Sequence, residues 1–244
     1  MSGLERPSFR DFLNSLSGEP HIQESIKALD EGHEIKHKPK DAHKELLSRL
    51  HHAGLAGRQV NNTFSAYQPE NQSEQKAFDL VKQLSAHIQD GTAQRGIMLY
   101  GDPGTGKDHL IDALVIDILT NRRMKIVASY MMDIEGTLKS EYRNGVDPLD
   151  TSIEEKLRRA DLVCIGDLHH ICKLVGTHSD WVVRVVYRVI NQSAEKGRPM
   201  ICSTSNKPLN YYDQRIDTSF GSRLAGVMHW HLVQGRDRRR KGVI

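Results

Sequence analysis

The run Gly101-Asp102-Pro103-Gly104-Thr105-Gly106-Lys107-Asp108 has the spacing Gly-x-x-x-x-Gly-Lys. Consecutive backbone N–H groups in such a loop wrap a phosphate, and the lysine reaches the terminal phosphates of a nucleotide. These residues and the following His109 are the predicted contacts to ATP or ADP. The eighth position ordinarily holds a Ser or Thr whose hydroxyl ligates Mg2+. Here Asp108 offers a carboxylate instead. Such an oxygen suits that ion, but without the ion it repels phosphate. The loop speaks plainly for a nucleotide and only faintly for hydrolysis.

Splitting a nucleotide needs acidic residues at the end of a neighbouring strand, one for the metal and often one for the attacking water. The candidate is Leu162-Val163-Cys164-Ile165-Gly166-Asp167-Leu168, in either of two registers. In one, Gly166 replaces the metal-side acid and Asp167 takes the water-activating position. In the other, Asp167 is the metal-side acid and Leu168 replaces the water activator. The apolar block ending at Gly166 favours the first. Asp167 is thus a predicted catalytic residue and, with Asp108, a predicted Mg2+ ligand. Asp108 is expected to supply from across the site the carboxylate missing at Gly166; a decayed site is the simpler alternative. Hydroxyls and an amide in Cys202-Ser203-Thr204-Ser205-Asn206 are placed to sense a γ-phosphate or orient water. Arg223, in Gly221-Ser222-Arg223-Leu224, has the position of an arginine offered to a neighbouring subunit's site.

One motif is rejected. His33-Glu34-Ile35-Lys36-His37 matches the zinc-protease string, but Gly32 precedes it, Pro39 follows, and Ile35 alone is apolar. A zinc site needs both histidines on one face of a stable helix.

Alternating elements must position these groups. Residues 96–100 read as a buried strand before the loop, and 109–119 as a helix carrying Leu110, Ile111, Leu114, Val115 and Ile118. The helix N-terminus adds partial positive charge to the phosphate site. Further strands are expected at 125–130, 162–165, 199–203 and 229–233. Helices are expected at 132–142, 153–159 and 180–194, and another, through Ala77, Val81, Leu84 and Ile88, precedes the first strand. That alternation predicts an α/β fold, a mostly parallel sheet flanked by helices, with nucleotide at the strands' C-terminal ends.

Residues 1–55 differ. Phe9, Phe12, Leu13 and Leu16 recur at helical spacing, as do Ile22, Ile26 and Leu29, and a third segment at 41–52 offers Leu46, Leu47 and Leu50. Faces this thin form a small bundle or dock on a partner. Residues 56–73 are polar and read as a linker, anchored by Phe64 and Tyr67; the nucleotide domain is assigned to 74–244. The chain has 244 residues and a formal net charge of +3, too small to announce nucleic acid. Its tail, Arg236-Asp237-Arg238-Arg239-Arg240-Lys241, holds five cations against one anion and suits phosphate contacts. No run approaches the roughly 20 apolar residues of a membrane span, and nothing resembles a signal peptide. The three cysteines read as reduced and packed, which implies a cytoplasmic protein.

Taken in order, these residues resemble the DnaC/IstB group of AAA+ ATPases, specifically the DnaC-type helicase loaders. The resemblance runs from about Leu47 onward. It includes Thr63-Phe64-Ser65-Ala66-Tyr67, residues 101–108, Asp133-Ile134 with Lys139 and Tyr142-Arg143-Asn144, and residues 161–167. It continues through Arg198-Pro199, Thr204-Ser205-Asn206, Ser222-Arg223-Leu224 and Gly235-Arg236-Asp237-Arg238-Arg239. The resemblance implies an AAA+ P-loop domain preceded by a small all-helical region. It also implies a hexameric replicative DNA helicase and single-stranded DNA as partners, and side-by-side self-association. In those terms Phe9, Phe12, Leu13 and Leu16 would grip the helicase, Thr204 and Asn206 would form the sensor, and Arg223 would be the finger. Lys139, Arg143, Arg238 and Arg239 would meet DNA, on charge and position. The sequence departs from the family at Asp108, at Gly166-Asp167 where Asp-Glu is usual, and in lacking N-terminal cysteines. Weak or absent hydrolysis follows from the first two. The rivals are a transposase-helper ATPase and a non-hydrolysing adaptor; a P-loop kinase lacks the arginine-rich insert of an acceptor lid.

Overall fold

The computed structural model describes residues 39–144 and 152–240. Phe9, Phe12, Leu13 and Leu16 lie outside the described residues, as does the rejected His33–His37 string.

Five parallel strands form the sheet: β1 Gly96–Tyr100, β2 Ile126–Tyr130, β3 Leu162–Gly166, β4 Met200–Thr204 and β5 Met228–Leu232, in the order β2-β3-β4-β1-β5. The helices are α1 Pro39–Ala53, α2 Gln72–Asp90, α3 Lys107–Asn121, α4 Met131–Arg143, α5 Ile153–Arg159, α6 Asp180–Glu195, α7 Leu209–Arg215 and α8 Thr218–Val227. Short 3-10 turns occupy Gly57–Asn61, Leu168–Lys173 and Arg238–Arg240.

Because strand side chains alternate, one strand feeds two cores. On β3, Leu162 and Cys164 join the layer of α1, α2 and α3, whereas Val163 and Ile165 join the layer of α4, α5, α6 and α8. A sheet buried on both faces needs apolar residues throughout, and β3 and β4 are buried along their whole length. The central helix α3 is correspondingly buried nearly all round, from Leu110 to Leu119. The three cysteines are free and buried.

Among the described residues the expected elements are present, displaced at most by two residues at an end. The grouping of the first of them differs. The segment around Leu46 and Leu50 does not belong to a separate bundle: α1 lays both leucines into the core beside α3. Their apolar face had too few residues to close a core alone, and the sheet layer supplies the missing partners. The polar stretch after it is likewise packed down. Leu55, Thr63 and Tyr67 are buried; Phe64 meets Phe78 of α2 edge-to-face, and Tyr67 stacks on it.

Candidate functional site

The phosphate loop joins β1 to α3 at the C-terminal end of the sheet. Gly106, the residue before α3, has φ of +89°, a left-handed conformation open to glycine at little cost. A side chain there would also meet the ring of Tyr67, 2.8 Å from the Cβ position. Lys107 is buried, and its ammonium donates to the carbonyls of Gly101 at 3.0 Å and Asp102 at 2.7 Å and to the Thr105 hydroxyl at 3.3 Å. Thr105 in turn donates to the Asp102 carbonyl. Burial lowers the lysine's pKa, while Asp108 and Asp167 oppose that shift. Residues 101–107 therefore form one hydrogen-bonded unit with a cation at its centre.

On one side of this unit lies the acidic end. Asp108 accepts a hydrogen bond from the Ser203 hydroxyl at 2.6 Å, and Ser203 accepts the Asp167 backbone N–H at 3.1 Å. Burial raises the Asp108 pKa; the Ser203 bond opposes the rise and the Asp167 charge adds to it. Asp167 follows β3 directly, with φ of +51°, the one non-glycine residue of positive φ among the described residues. A non-glycine residue tolerated in that conformation beside a phosphate loop is a feature of functional turns. Strand β3 thus ends at Gly166, the first of the two registers.

Gly166 does not merely lack a carboxylate. A Cβ on it would stand 2.5 Å from the Tyr130 ring, which fills that space. Burial raises the Tyr130 pKa, and the charges of Asp108, Asp112 and Asp167 push it the same way, so its phenol stays neutral. His169 lies beyond Asp167, its Nδ1 3.9 Å from the carboxylate and accepting the Ser205 N–H at 3.4 Å. Burial lowers its pKa.

Opposite this acidic end, residues 59–67 cover the start of α3. His109 donates from Nε2 to the Thr63 carbonyl at 3.0 Å, which fixes the proton on that nitrogen. Burial lowers the His109 pKa and keeps the ring neutral. Asp112, one turn further on, is buried and accepts from Asn62 at 2.8 Å and Gln59 at 3.5 Å. Its pKa is pushed up to about 7 by burial, against those two donors.

The chain's end closes a third side. The Arg238 N–H donates to the Gly104 carbonyl at 3.0 Å, and the Asp237 carboxylate occupies the space a side chain at Gly104 would need. Arg236 pairs with Glu70, and Arg238 pairs with the fully buried Glu74 while its guanidinium stacks 4.6 Å from the Tyr67 centroid. Arg239 stands 4.0 Å from Asp108.

Several expected roles shift accordingly. Thr204 is turned away from the loop: it is fully buried and accepts the Tyr212 hydroxyl at 3.0 Å. Alternation along β4 gives the adjacent Ser203 the side facing Asp108, a choice the string of polar residues alone did not resolve. Asn206 is exposed in the turn after β4. Arg238 is absorbed in its pair with Glu74 and is not a free cation for DNA, because a buried carboxylate demands its own partner. Arg239 is exposed but lies beside Asp108 at the phosphate loop. Lys139 pairs with Glu135 one turn earlier, and Arg143 is exposed in the last turn of α4. Beside them is an aromatic pair whose partners, Tyr142 and Trp181, are too far apart in sequence to be read together. Tyr142, 80 % exposed, lies against Trp181 with centroids 5.7 Å apart and the ring planes tilted by 38°. Arg223 is exposed on α8; the hydrogen bond with Ser219 lowers the pKa of Tyr187, and the Arg223 charge adds to that shift.

No three His, Cys, Asp or Glu residues among those described converge to hold a metal. Two carboxylates, Asp108 and Asp167, flank the loop. That donor set fits Mg2+ carried in by a nucleotide, since this ion keeps waters and phosphate oxygens and takes only one or two carboxylates. No described helix is long and apolar enough to cross a membrane.

The family described as the bacterial DnaA ATPase domain matches residues 59–227. The uncharacterized protein YqaM of Bacillus subtilis (strain 168) is 26% identical over 143 residues, which span 59% of this chain and 44% of that protein. The phage-like element PBSX protein XkdC of the same organism is 23% identical over 159 residues, 64% of this chain and 57% of that one. The chain spans about half the length of these relatives. Among solved structures, the DnaC helicase loader superposes with a TM-score of 0.60 at 17% identity, over 73% of this chain and all of that one. The replication initiator DnaA bound to AMPPCP and single-stranded DNA gives a TM-score of 0.60 at 17% identity, over 73% of this chain and 51% of that one. At such identities the superpositions speak for a shared AAA+ fold.

Proposed function

The chain belongs to the family of the bacterial DnaA ATPase domain, and from that premise we propose that it is a DNA-replication helicase loader of the DnaC type. It binds ATP with Mg2+, binds single-stranded DNA, and delivers a hexameric replicative helicase, with weak or absent hydrolysis. The observation that carries the nucleotide half is the buried Lys107, held by three oxygens of its own loop at the N-terminus of α3. ATP replaces those acceptors with phosphate oxygens, and the loop N–H groups complete the cradle.

Asp108 takes the place of the usual hydroxyl and, with Asp167, holds the ion that accompanies the phosphates. Hydrolysis is slow because the metal-side acid is absent and Tyr130 fills its space. A protein of this kind works by population shift: ATP favours one conformation, and that conformation binds partners differently. Single-stranded DNA runs along the α4 surface. There the Tyr142–Trp181 pair offers a stacking platform beside Arg143 and Lys139. Arg223 is offered to a neighbouring copy. Phe9, Phe12, Leu13 and Leu16 are the proposed helicase contact, on the sequence alone.

The test is co-purification of the full chain with the replicative helicase of its source cell, with and without ATP, together with anisotropy of labelled single- and double-stranded oligonucleotides. Nucleotide-dependent recovery of the helicase and a preference for single strands support the loader. Recovery of a transposase with a preference for duplex would replace it with the transposase-helper reading.

A further inference from the structure

Tyr67 is 4 % exposed, and its hydroxyl has no hydrogen-bond partner among the described residues. A buried hydroxyl left unpaired costs stability, so such a group in a folded protein calls for an explanation. The ring is held firmly by a stack with Phe78 at 5.8 Å, an edge contact with His109 at 5.2 Å and the Arg238 guanidinium at 4.6 Å. The hydroxyl end lies against the phosphate loop, 3.3 Å from the Cβ position of Gly106. The Nε of Arg238 is a second buried donor without a partner. Glu74 Oε1, beside Gly235, is an unpaired acceptor nearby, but the Glu74 carboxylate already holds Arg238 through its other oxygen.

We propose that Tyr67 is a nucleotide-contacting residue whose hydroxyl donates a hydrogen bond to the α-phosphate end of the bound nucleotide. This rests on the reading that residues 101–108 hold a nucleotide. The side of contact follows from how the loop's two flanks are built. Asp108 turns toward Ser203 and Asp167, which is where the terminal phosphate and its ion belong. His109 turns the other way, toward Thr63, so the 59–67 side faces the phosphate nearest the nucleoside. Tyr67 stands on that side. Its pKa is pushed up to about 12 by burial, which keeps the proton on the hydroxyl and makes it a donor. Gly106 is then needed twice, for its backbone conformation and for the space the Tyr67 ring takes.

The test compares Tyr67→Phe with the wild-type full chain, by calorimetric titration with ATP and with ADP and by melting without nucleotide. The variant removes one oxygen that has no partner among the described residues, so its nucleotide-free melting temperature is unchanged or raised. Affinity for ATP and ADP falls together, about 10-fold, as a lost bond to a charged group predicts, and their ratio stays constant. Unchanged affinity in Tyr67→Phe would overturn the assignment. So would a loss confined to ATP, which would put the contact at the γ-phosphate, or a loss matched by a lower melting temperature. If the wild-type chain binds neither nucleotide, the reading of the loop itself fails, and this inference fails with it.

Discussion

The two flanks of the phosphate loop are built to different standards. The flank formed by residues 59–67 is dense: Asn62 and Gln59 hold Asp112, His109 holds Thr63, and Tyr67 is packed by three neighbours. The acidic flank is sparse. Its hydrogen bonds run from Asp167 through Ser203 to Asp108, and the Tyr130 ring fills the space that a side chain at Gly166 would take. Holding a nucleotide needs the first flank and the loop; splitting it needs the second. The proposed function, a site that binds ATP and splits it slowly, rests on this contrast.

The largest effect expected is on the element both flanks share. Lys107→Ala removes the loop's central cation and weakens ATP binding about 100-fold or more, several charge-assisted hydrogen bonds being lost at once. Titration with ATP in the presence of Mg2+ measures it. Restoring an acid to the sparse flank comes next. Gly166→Asp drives a side chain into Tyr130, and overpacking of this kind costs about 1–3 kcal/mol, visible in thermal or urea melts. A variant that melts like the wild type would show that Tyr130 yields easily and that the missing acid is no steric matter.

The dense flank has a pH signature. Asp112 has a folded pKa near 7 against an ordinary 3.8, so the folded state holds its proton more tightly than the unfolded one. Between those two values the unfolded chain binds fewer protons, and this group's contribution to stability falls as pH rises, by on the order of 2–4 kcal/mol across the window. The melting temperature of the wild type relative to Asp112→Asn should therefore drop between pH 5 and pH 8. A difference flat in pH would place the Asp112 carboxyl in water rather than among the amides.

The smallest effect concerns a surface away from both flanks. Tyr142→Ala should weaken single-stranded DNA binding about 5-fold to 10-fold and leave ATP affinity unchanged, as loss of one stacking platform predicts. Equal loss on duplex DNA would make the contribution general charge and shape rather than base stacking.

Much of this was legible in the sequence. The glycine spacing, the helical spacing of Leu110 to Ile118 and the apolar block of 162–165 are local signals, and they gave the loop, α3, β3 and the α/β class. The position of Gly166 at the strand end was readable for the same reason. What could not be read depends on contacts between distant segments. Arg238 looks like one of a row of tail cations, and only its placement 164 residues from Glu74 commits it to a buried pair. Ser203 and Thr204 are neighbours of similar chemistry, and the register of β4 against β1 decides which faces the loop. The apolar face of α1 matches those before it in spacing, but its partners are on α3 and the sheet.

We propose that this site holds ATP far better than it splits it. It is tested most directly by loading the full chain with ATP and Mg2+ at saturating protein and following the bound nucleotide over an hour by ion-exchange separation. Most of it should be recovered as ATP, and Lys107→Ala should carry far less nucleotide than the wild type. Conversion to ADP with a rate near the ~10 s⁻¹ of an ordinary enzyme would contradict it and show that Asp108 and Asp167 suffice for catalysis.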